Sequence, residues 1–138
     1  VKGPDGYLYE ALWISPEDAD ARGIKDGDIV KIFNERGIIL TGARVSQRVQ
    51  PGSVVVAKGS RVDPIAPHID RGGAINLISP EATVSKNCKG FAVTGYLVEA
   101  EKLSQEEYDN WKAQYPEAFE RAYDAGQGIT REAWVVEA

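Results

Sequence analysis

The chain has 138 residues, of which 43% are hydrophobic and 27% are charged, and its formal net charge is −5. This length suits one domain that buries about two thirds of its unfolded surface. No apolar run approaches the roughly 20 residues that cross a bilayer, so we expect no direct insertion into a membrane.

Charge is unevenly distributed along the chain. After residue 95 there are ten acidic and four basic side chains, which leaves 11 acidic and 12 basic side chains before that point. A nucleic-acid partner requires a clustered basic face, so we expect no nucleic acid to bind. The chain starts at Val1 and contains no methionine, and we therefore expect a piece of a longer polypeptide.

The first predicted elements are a strand and a short helix. Aromatic and branched residues predict a strand over Tyr7–Ile14. Ser15 then suits the N-cap and Pro16 the first position of a helix. Gly23 is expected to close that helix in the left-handed conformation, and the apolar Ile24 is expected to pack back on it.

The following segment predicts a hairpin and then a barrel. Ile29–Phe33 and Ile38–Val45 read as strands joined by turn residues. Residues 53–57 are apolar at nearly every position, which predicts a strand covered on both faces. A last strand is expected over 91–101, with Gly95 inside it. Such mid-strand glycines permit the bends of a small closed barrel, and we expect about six strands.

The acidic tail has a helical pattern. Ser104-Gln105-Glu106-Glu107 forms a capping box, and apolar residues then recur at helical spacing at Tyr108, Trp111 and Tyr115. Pro116 is expected to break the helix. A second helix is predicted to carry Phe119, Ala122 and Tyr123, and Thr130 to cap a last turn near Trp134. We assign residues 1–103 to the barrel and 104–138 to a helical extension packed on it or on a neighbouring domain.

Residues 58–89 are the candidate anion-binding region. They hold five basic and three acidic side chains in a chain that is acidic overall. Gly72 and Gly73 would let backbone N–H groups approach a phosphate closely, and Asn76 can both donate to and accept from a heterocycle. Residues 85–87 could supply a second line of contacts. The alternative is that the glycines form only a turn and the lysines are solvated.

An ordered series of motifs resembles one known family. Its segments are Trp13-Ile14-Ser15-Pro16-Glu17-Asp18-Ala19, Arg22-Gly23-Ile24-Lys25-Asp26-Gly27-Asp28-Ile29-Val30, Asn34-Glu35-Arg36-Gly37, Val49-Gln50-Pro51-Gly52 and Gly72-Gly73-Ala74-Ile75-Asn76-Leu77. The series resembles the molybdopterin-dinucleotide-binding domain that ends the catalytic subunit of dimethyl sulfoxide reductase family enzymes. The resemblance covers residues 13–103 and implies a double-psi β-barrel. The loop over residues 67–73 and the aromatic tail are most similar to the transhydroxylase branch.

The resemblance implies a function for the candidate region. In that family such loops hold one molybdopterin guanine dinucleotide of the pair that ligates molybdenum or tungsten. The residues that correspond in this chain are Arg71, Gly72, Gly73, Asn76, Ser85, Lys86 and Asn87. The implied partners are the other domains of a catalytic subunit, with an iron–sulfur electron-transfer subunit as a further candidate. The segment 1–9 does not match the polar stretch with which the family's domain begins.

Catalytic and metal-binding residues are not expected in this chain. Its one histidine, His68, and its one cysteine, Cys88, are too few for a Cys/His pair with an orienting group or for a multi-ligand metal site. Two alternatives stay open. A double-psi barrel could serve as a protein-interaction adaptor without a cofactor, or as a self-processing decarboxylase cleaved between Gly59 and Ser60.

Overall fold

The protein is a mainly β structure with three short α-helices in the part of the chain described. The computed structural model describes residues 1–60, 62–80, 85–87, 96–120, 123–124 and 129–130. The elements in chain order are β1 Ala11–Ile14, α1 Pro16–Ala21, β2 Ile29–Asn34, β3 Gly37–Val45, β4 Val54–Val56, β5 Pro64–Ala66, β6 Ile69–Asp70, the 3-10 helix Ile75–Leu77, β7 Glu99–Lys102, α2 Gln105–Gln114, α3 Pro116–Glu120, β8 Tyr123–Asp124 and β9 Ile129–Thr130.

Strand β3 is the centre of a seven-stranded mixed sheet. It pairs antiparallel with β2 over residues 37–42, parallel with β1 near its end and parallel with β6 near its start. The path runs β4-β1-β3-β2-β7, and β6 connects to β5. Within the described ranges the sheet does not close, which differs from the closed six-stranded barrel expected from the sequence. Residues 91–95 of the strand predicted over 91–101 lie outside those ranges, as does Cys88.

The caps of helix α1 explain why six residues are enough. The Ser15 hydroxyl accepts a hydrogen bond from the Asp18 N–H at 3.2 Å, and Pro16 occupies the first helical turn. Gly23 has a φ of 66°, and the buried Ile24 donates its N–H to the carbonyl of Ala19 at 2.8 Å. The predicted start and end of this helix are confirmed.

The Ser15 cap gives a first testable prediction. Ser15→Ala is expected to lower the free energy of unfolding by about 1 kcal/mol, because the Asp18 N–H loses its acceptor at a buried helix start. Urea denaturation measures this change. Ser53→Ala is the matched control, since that serine is exposed and surface substitutions usually change stability by less than about 0.5 kcal/mol. Equal losses in the two variants would contradict the capping role.

Acidic side chains accept backbone hydrogen bonds at several turns. Asp28 accepts the Lys25 N–H at 2.8 Å within its own turn, and Asp26 accepts the Val45 N–H at 2.8 Å from the end of β3. Gly52 has a φ of 88° and donates its N–H to Asp18 at 2.7 Å. These acidic groups therefore hold loops to helix and strand ends.

Two apolar cores lie on opposite faces of the central strands. Ile39 of β3 belongs to the first core with Leu12, Ile32 and Ala100. Its neighbour Leu40 belongs to the second core, which also contains Tyr7, Tyr9, Ile65, Leu103, Trp111 and Ala118. Because adjacent side chains of a strand point to opposite faces, β3 is buried on both sides.

The tail helices cover the second core. Helix α2 starts at the Ser104 cap, whose hydroxyl accepts the Glu107 N–H at 3.1 Å. The Glu107 carboxylate instead pairs with Lys31 of β2 at 3.1 Å, so half of the predicted capping box forms. Trp111 and Ala118 are buried against the sheet. The aromatic residues Tyr108, Trp111 and Tyr115 thus pack on the chain's own sheet. The domain boundary at residue 103 stays a prediction.

Three expectations from the sequence are wrong. Tyr123 and Thr130 pair in the antiparallel strands β8 and β9 rather than belonging to a helix and a helix cap. Two glycines in the four-residue connection between them favour a hairpin over a helix. Strand β4 is not covered on both faces, because it ends the described sheet path and Val55 is 52% exposed.

Candidate functional site

The candidate loop starts from the small hairpin β5–β6. Its turn contains Pro67 and His68, and His68 is the one non-glycine residue with a positive φ in the described ranges, at 64°. Its carbonyl accepts the Ile38 N–H at 2.8 Å. The exposed imidazole has no histidine or cysteine beside it in the chain, and among described residues no group of three or more metal-ligating side chains forms a metal site. His68 therefore shapes a turn.

Asp70 closes the loop that follows. Its carboxylate, in a residue only 2% exposed, accepts the Asp63 N–H at 2.6 Å and the Ala74 N–H at 2.7 Å. The Arg71 N–H donates in turn to the Asp63 carbonyl at 2.9 Å. A carboxylate that accepts two backbone donors on either side of a bend fixes the path of the chain between them.

The glycine pair is buried inside the protein. Gly73 has a φ of 77°, and a Cβ atom there would lie 2.8 Å from the Glu10 Cβ and 3.3 Å from the Leu40 carbonyl oxygen. The sequence predicted that these glycines permit close approach of a phosphate. The structure shows that Gly73 permits the loop to approach β3 and the residue before β1.

Arg71 is held in a partly buried cluster of side chains that we name the Arg71 clamp. The side chains that contact its guanidinium are Asp5, Tyr7, Tyr9, Tyr108 and Phe119. The closest polar contact joins Arg71 Nη2 to Asp5 Oδ2 at 2.9 Å, and the Tyr7 and Phe119 ring centres lie 4.1 and 4.6 Å from the guanidinium carbon. With Arg71 only 5% exposed, these contacts occupy the group that the sequence had assigned to the cofactor.

The protonation of the clamp is set by burial and by these contacts. Burial by itself raises the pKa of Asp5, but hydrogen bonds from Tyr9, Arg71 and Tyr108 outweigh it, so the pKa lies below its usual value. Burial and the Asp5 carboxylate together raise the pKa of Tyr108 to about 12. The pKa values of Tyr7 and Tyr9 are raised further, by burial and then by hydrogen bonds to Asp63 and Asp5. At neutral pH the clamp is therefore an ion pair surrounded by neutral phenols.

Asn76 lies on the surface, in contrast to Arg71. It occupies the middle of the 3-10 helix, which the apolar neighbours Ile75 and Ile78 hold against the first core. The Asn34 amide also donates to the Ile78 carbonyl at 2.8 Å. The Asn76 amide is exposed and makes no hydrogen bond within the described part of the chain. It is presented to solvent on a fixed backbone.

Ser85, Lys86 and Asn87 are exposed in a bend. The seven predicted site residues therefore fall into two groups. Arg71, Gly72 and Gly73 are buried at the base of the loop, and Asn76 and residues 85–87 are exposed. The sequence did not indicate the partners of Arg71 in segment 5–9, because a contact across 66 residues leaves no local pattern.

A cavity of about 720 Å³ lies where the described sheet stays open. Ile75 and Ile78 form one wall, and β4 and residues 96–98 form others. The charged residues at its rim are Asp18, Arg22 and Lys58. Asp18 accepts a hydrogen bond from the Gly52 N–H, and Arg22 pairs with Glu99 at 3.4 Å. The cavity is largely apolar, and Leu97 at its edge is 90% exposed.

Comparison with known proteins points to one family. Residues 3–95, more than half of the chain, match the family described as "Molydopterin dinucleotide binding domain". The chain is 38% identical over 109 residues to the pyrogallol hydroxytransferase large subunit of Pelobacter acidigallici, covering 76% of the chain and 12% of that protein.

Two reductases are similar over most of the same length. The dimethyl sulfoxide/trimethylamine N-oxide reductase of Cereibacter sphaeroides is 40% identical over 100 residues, which cover 70% of the chain and 12% of the relative. The dimethyl sulfoxide reductase DmsA of Escherichia coli (strain K12) is 40% identical over 94 residues, which cover 68% and 11%. The chain thus spans about an eighth of the length of these relatives.

Proposed function

Because this chain belongs to the molybdopterin dinucleotide binding domain family of dimethyl sulfoxide reductase family enzymes, we propose that it holds one molybdopterin guanine dinucleotide. The cofactor class, a molybdopterin dinucleotide with molybdenum, follows from the family. We propose further that the nucleotide base is guanine and that the module is part of a larger molybdenum or tungsten oxidoreductase. We also propose that the module alone does not catalyse a reaction.

The exposed residues of the candidate site fit such a cofactor. Asn76 offers a carboxamide that can bind a guanine or pterin edge, and Lys86 offers a cation for a diphosphate. Asn87 adds a second exposed amide. The observation that carries the proposal is the exposed Asn76 amide, fixed on its 3-10 helix inside the segment that matches the family. When bound, the cofactor would supply the redox-active metal, and this chain would bind and orient it.

The predicted site residues that are buried have a different proposed role, because they already contact other parts of the chain. Gly73 lets the loop pack on β3, and Arg71 is anchored by Asp5. We propose that they shape the loop that presents Asn76 rather than contact the cofactor directly. The seven predicted residues would thus have two roles. Asn76 and residues 85–87 would bind the cofactor, and residues 71–73 would support the loop.

We also propose that the module works inside a larger catalytic subunit. The relatives are about eight times longer than the matched segment, and Val55 and Leu97 expose apolar surface beside the cavity. These observations favour contact with other domains of that subunit, and an iron–sulfur subunit is a further proposed partner. The parallel pairing of β3 with both β1 and β6 supports a double-psi barrel in the complete module.

A nucleotide titration tests the proposal. Guanosine diphosphate added to the 138-residue chain is expected to shift the nuclear magnetic resonance signals of the Asn76 side chain, and adenosine diphosphate to shift them less. Asn76→Ala is expected to weaken guanosine diphosphate binding about tenfold, the equivalent of one well-made hydrogen bond.

Asn110→Ala is the matched control, because Asn110 is an exposed asparagine on α2. It should leave the affinity unchanged. Equal weakening by both substitutions, or no shift at Asn76 at millimolar guanosine diphosphate, would contradict the site. Shifts caused only by an interacting peptide would favour the adaptor function instead.

A further inference from the structure

The Arg71 clamp joins three segments that are far apart in the sequence. Asp5 comes from the start of the chain, Arg71 from the candidate loop, and Tyr108 and Phe119 from α2 and α3. Both helices lie after residue 95, where the match to the family ends. The tail therefore contributes two side chains to the base of the loop.

The tail contacts are directed at the ion pair. The Tyr108 hydroxyl donates to Asp5 Oδ2 at 3.0 Å and lies 3.4 Å from Arg71 Nη2. Phe119 packs its ring 4.6 Å from the guanidinium carbon and edge-on to Tyr108, with ring centres 5.2 Å apart. The planar guanidinium thus has ring faces, a carboxylate and phenol oxygens around it, which fixes its orientation.

The clamp is connected to Asn76 through the backbone. The Arg71 N–H binds the Asp63 carbonyl, and the Asp70 carboxylate binds the N–H groups of Asp63 and Ala74. Ala74 is the N-cap residue of the 3-10 helix that carries Asn76. Buried hydrogen bonds therefore set the path of the six-residue backbone segment 71–76, which joins Arg71 to Asn76.

We propose that the tail helices position the cofactor loop, with Tyr108 and Phe119 completing the Arg71 clamp as positioning residues. Apolar side chains in place of an ion pair would fill this space at a lower desolvation cost. An ion pair whose members also form hydrogen bonds of defined geometry, however, holds the loop backbone in a single orientation. The inference rests on the proposed function for its effect on the cofactor, but its structural part can be tested without any ligand.

Tyr108→Phe removes one hydroxyl and keeps the ring. In the 138-residue chain without ligand, we expect hydrogen exchange at the Asp63 and Ala74 amides to accelerate about tenfold, because a hydrogen bond to a charged acceptor is lost. We also expect guanosine diphosphate to bind roughly three- to tenfold more weakly, since the loop must be reordered before binding. Phe119→Leu should act in the same direction.

Tyr115→Phe is the matched control. Tyr115 ends α2 and packs on the same core, but its hydroxyl makes no contact with the clamp. This variant should leave both readouts unchanged. Unchanged exchange in Tyr108→Phe would overturn the inference whether or not the nucleotide binds. Faster exchange with unchanged affinity would also overturn it, whereas a wild-type chain that fails to bind nucleotide would refute the proposed function itself.

Discussion

Replacing Arg71 with methionine is expected to lower the free energy of unfolding by about 3 kcal/mol or more at neutral pH. Methionine keeps most of the volume but leaves the Asp5 carboxylate without its cation, in a pair whose side chains are only 6% and 13% exposed. The guanidinium contacts with the Tyr7 and Phe119 rings disappear as well. Chemical denaturation at pH 7 measures this loss.

Arg22→Met is the matched control for this substitution. Arg22 pairs with Glu99 at 3.4 Å, but the side chains are 39% and 56% exposed, and such surface pairs contribute between 0 and about 1 kcal/mol. Similar losses in the two variants would contradict a special role for the clamp.

The pH dependence of the Arg71→Met effect provides an independent check. The folded chain lowers the pKa of Asp5, so the wild-type protein gains stability from this group above the unfolded pKa of about 4. That stability is lost as the pH falls through the lowered folded value. The difference between wild type and Arg71→Met should therefore be largest near pH 7 and shrink below about pH 4. A difference independent of pH would show that packing alone is responsible.

Replacing Gly73 with alanine is expected to lower the free energy of unfolding by about 2–5 kcal/mol. Two costs add here. The φ of 77° is unfavourable for an L-residue by roughly 1–2 kcal/mol, and the added Cβ would lie 2.8 Å from the Glu10 Cβ, an overpacking that typically costs about 1–3 kcal/mol. Thermal and chemical denaturation measure the sum.

Gly27→Ala separates the two costs of the Gly73 substitution. Gly27 has a φ of 89°, but a Cβ there would meet no atom within 4 Å. It should therefore show only the backbone cost of roughly 1–2 kcal/mol. If both alanine variants lose the same stability, the close approach of the loop to Glu10 and Leu40 is not a constraint on the fold.

Local chemistry was readable from the sequence because it depends on residues a few positions apart. The Ser15 cap and the left-handed Gly23 have the roles expected of them. The hairpin of β2 and β3 was also predicted within a residue or two. The motifs around these elements also identified the family correctly, since residues 3–95 match it.

Some predictions failed where pairing between distant segments decides the outcome. The apolar residues of β4 predicted a covered strand, but the position of β4 at the end of the described sheet path leaves Val55 exposed. An edge position is not encoded within a short window of residues. The prediction for Tyr123 failed for a local reason, because the two glycines between Tyr123 and Thr130 favour a hairpin over a helix.

The separation of the candidate residues into a buried and an exposed group was decided by tertiary structure alone. An arginine beside two glycines has the same composition in a phosphate-binding loop and in a buried support, and only the partner of the guanidinium distinguishes them. Here Asp5 provides that partner from 66 residues away. The sequence by itself determined the family and the local elements, because short-range motifs and turn chemistry produce them. The three-dimensional packing determined that Arg71 is buried, because burial depends on which distant side chains neutralise its charge.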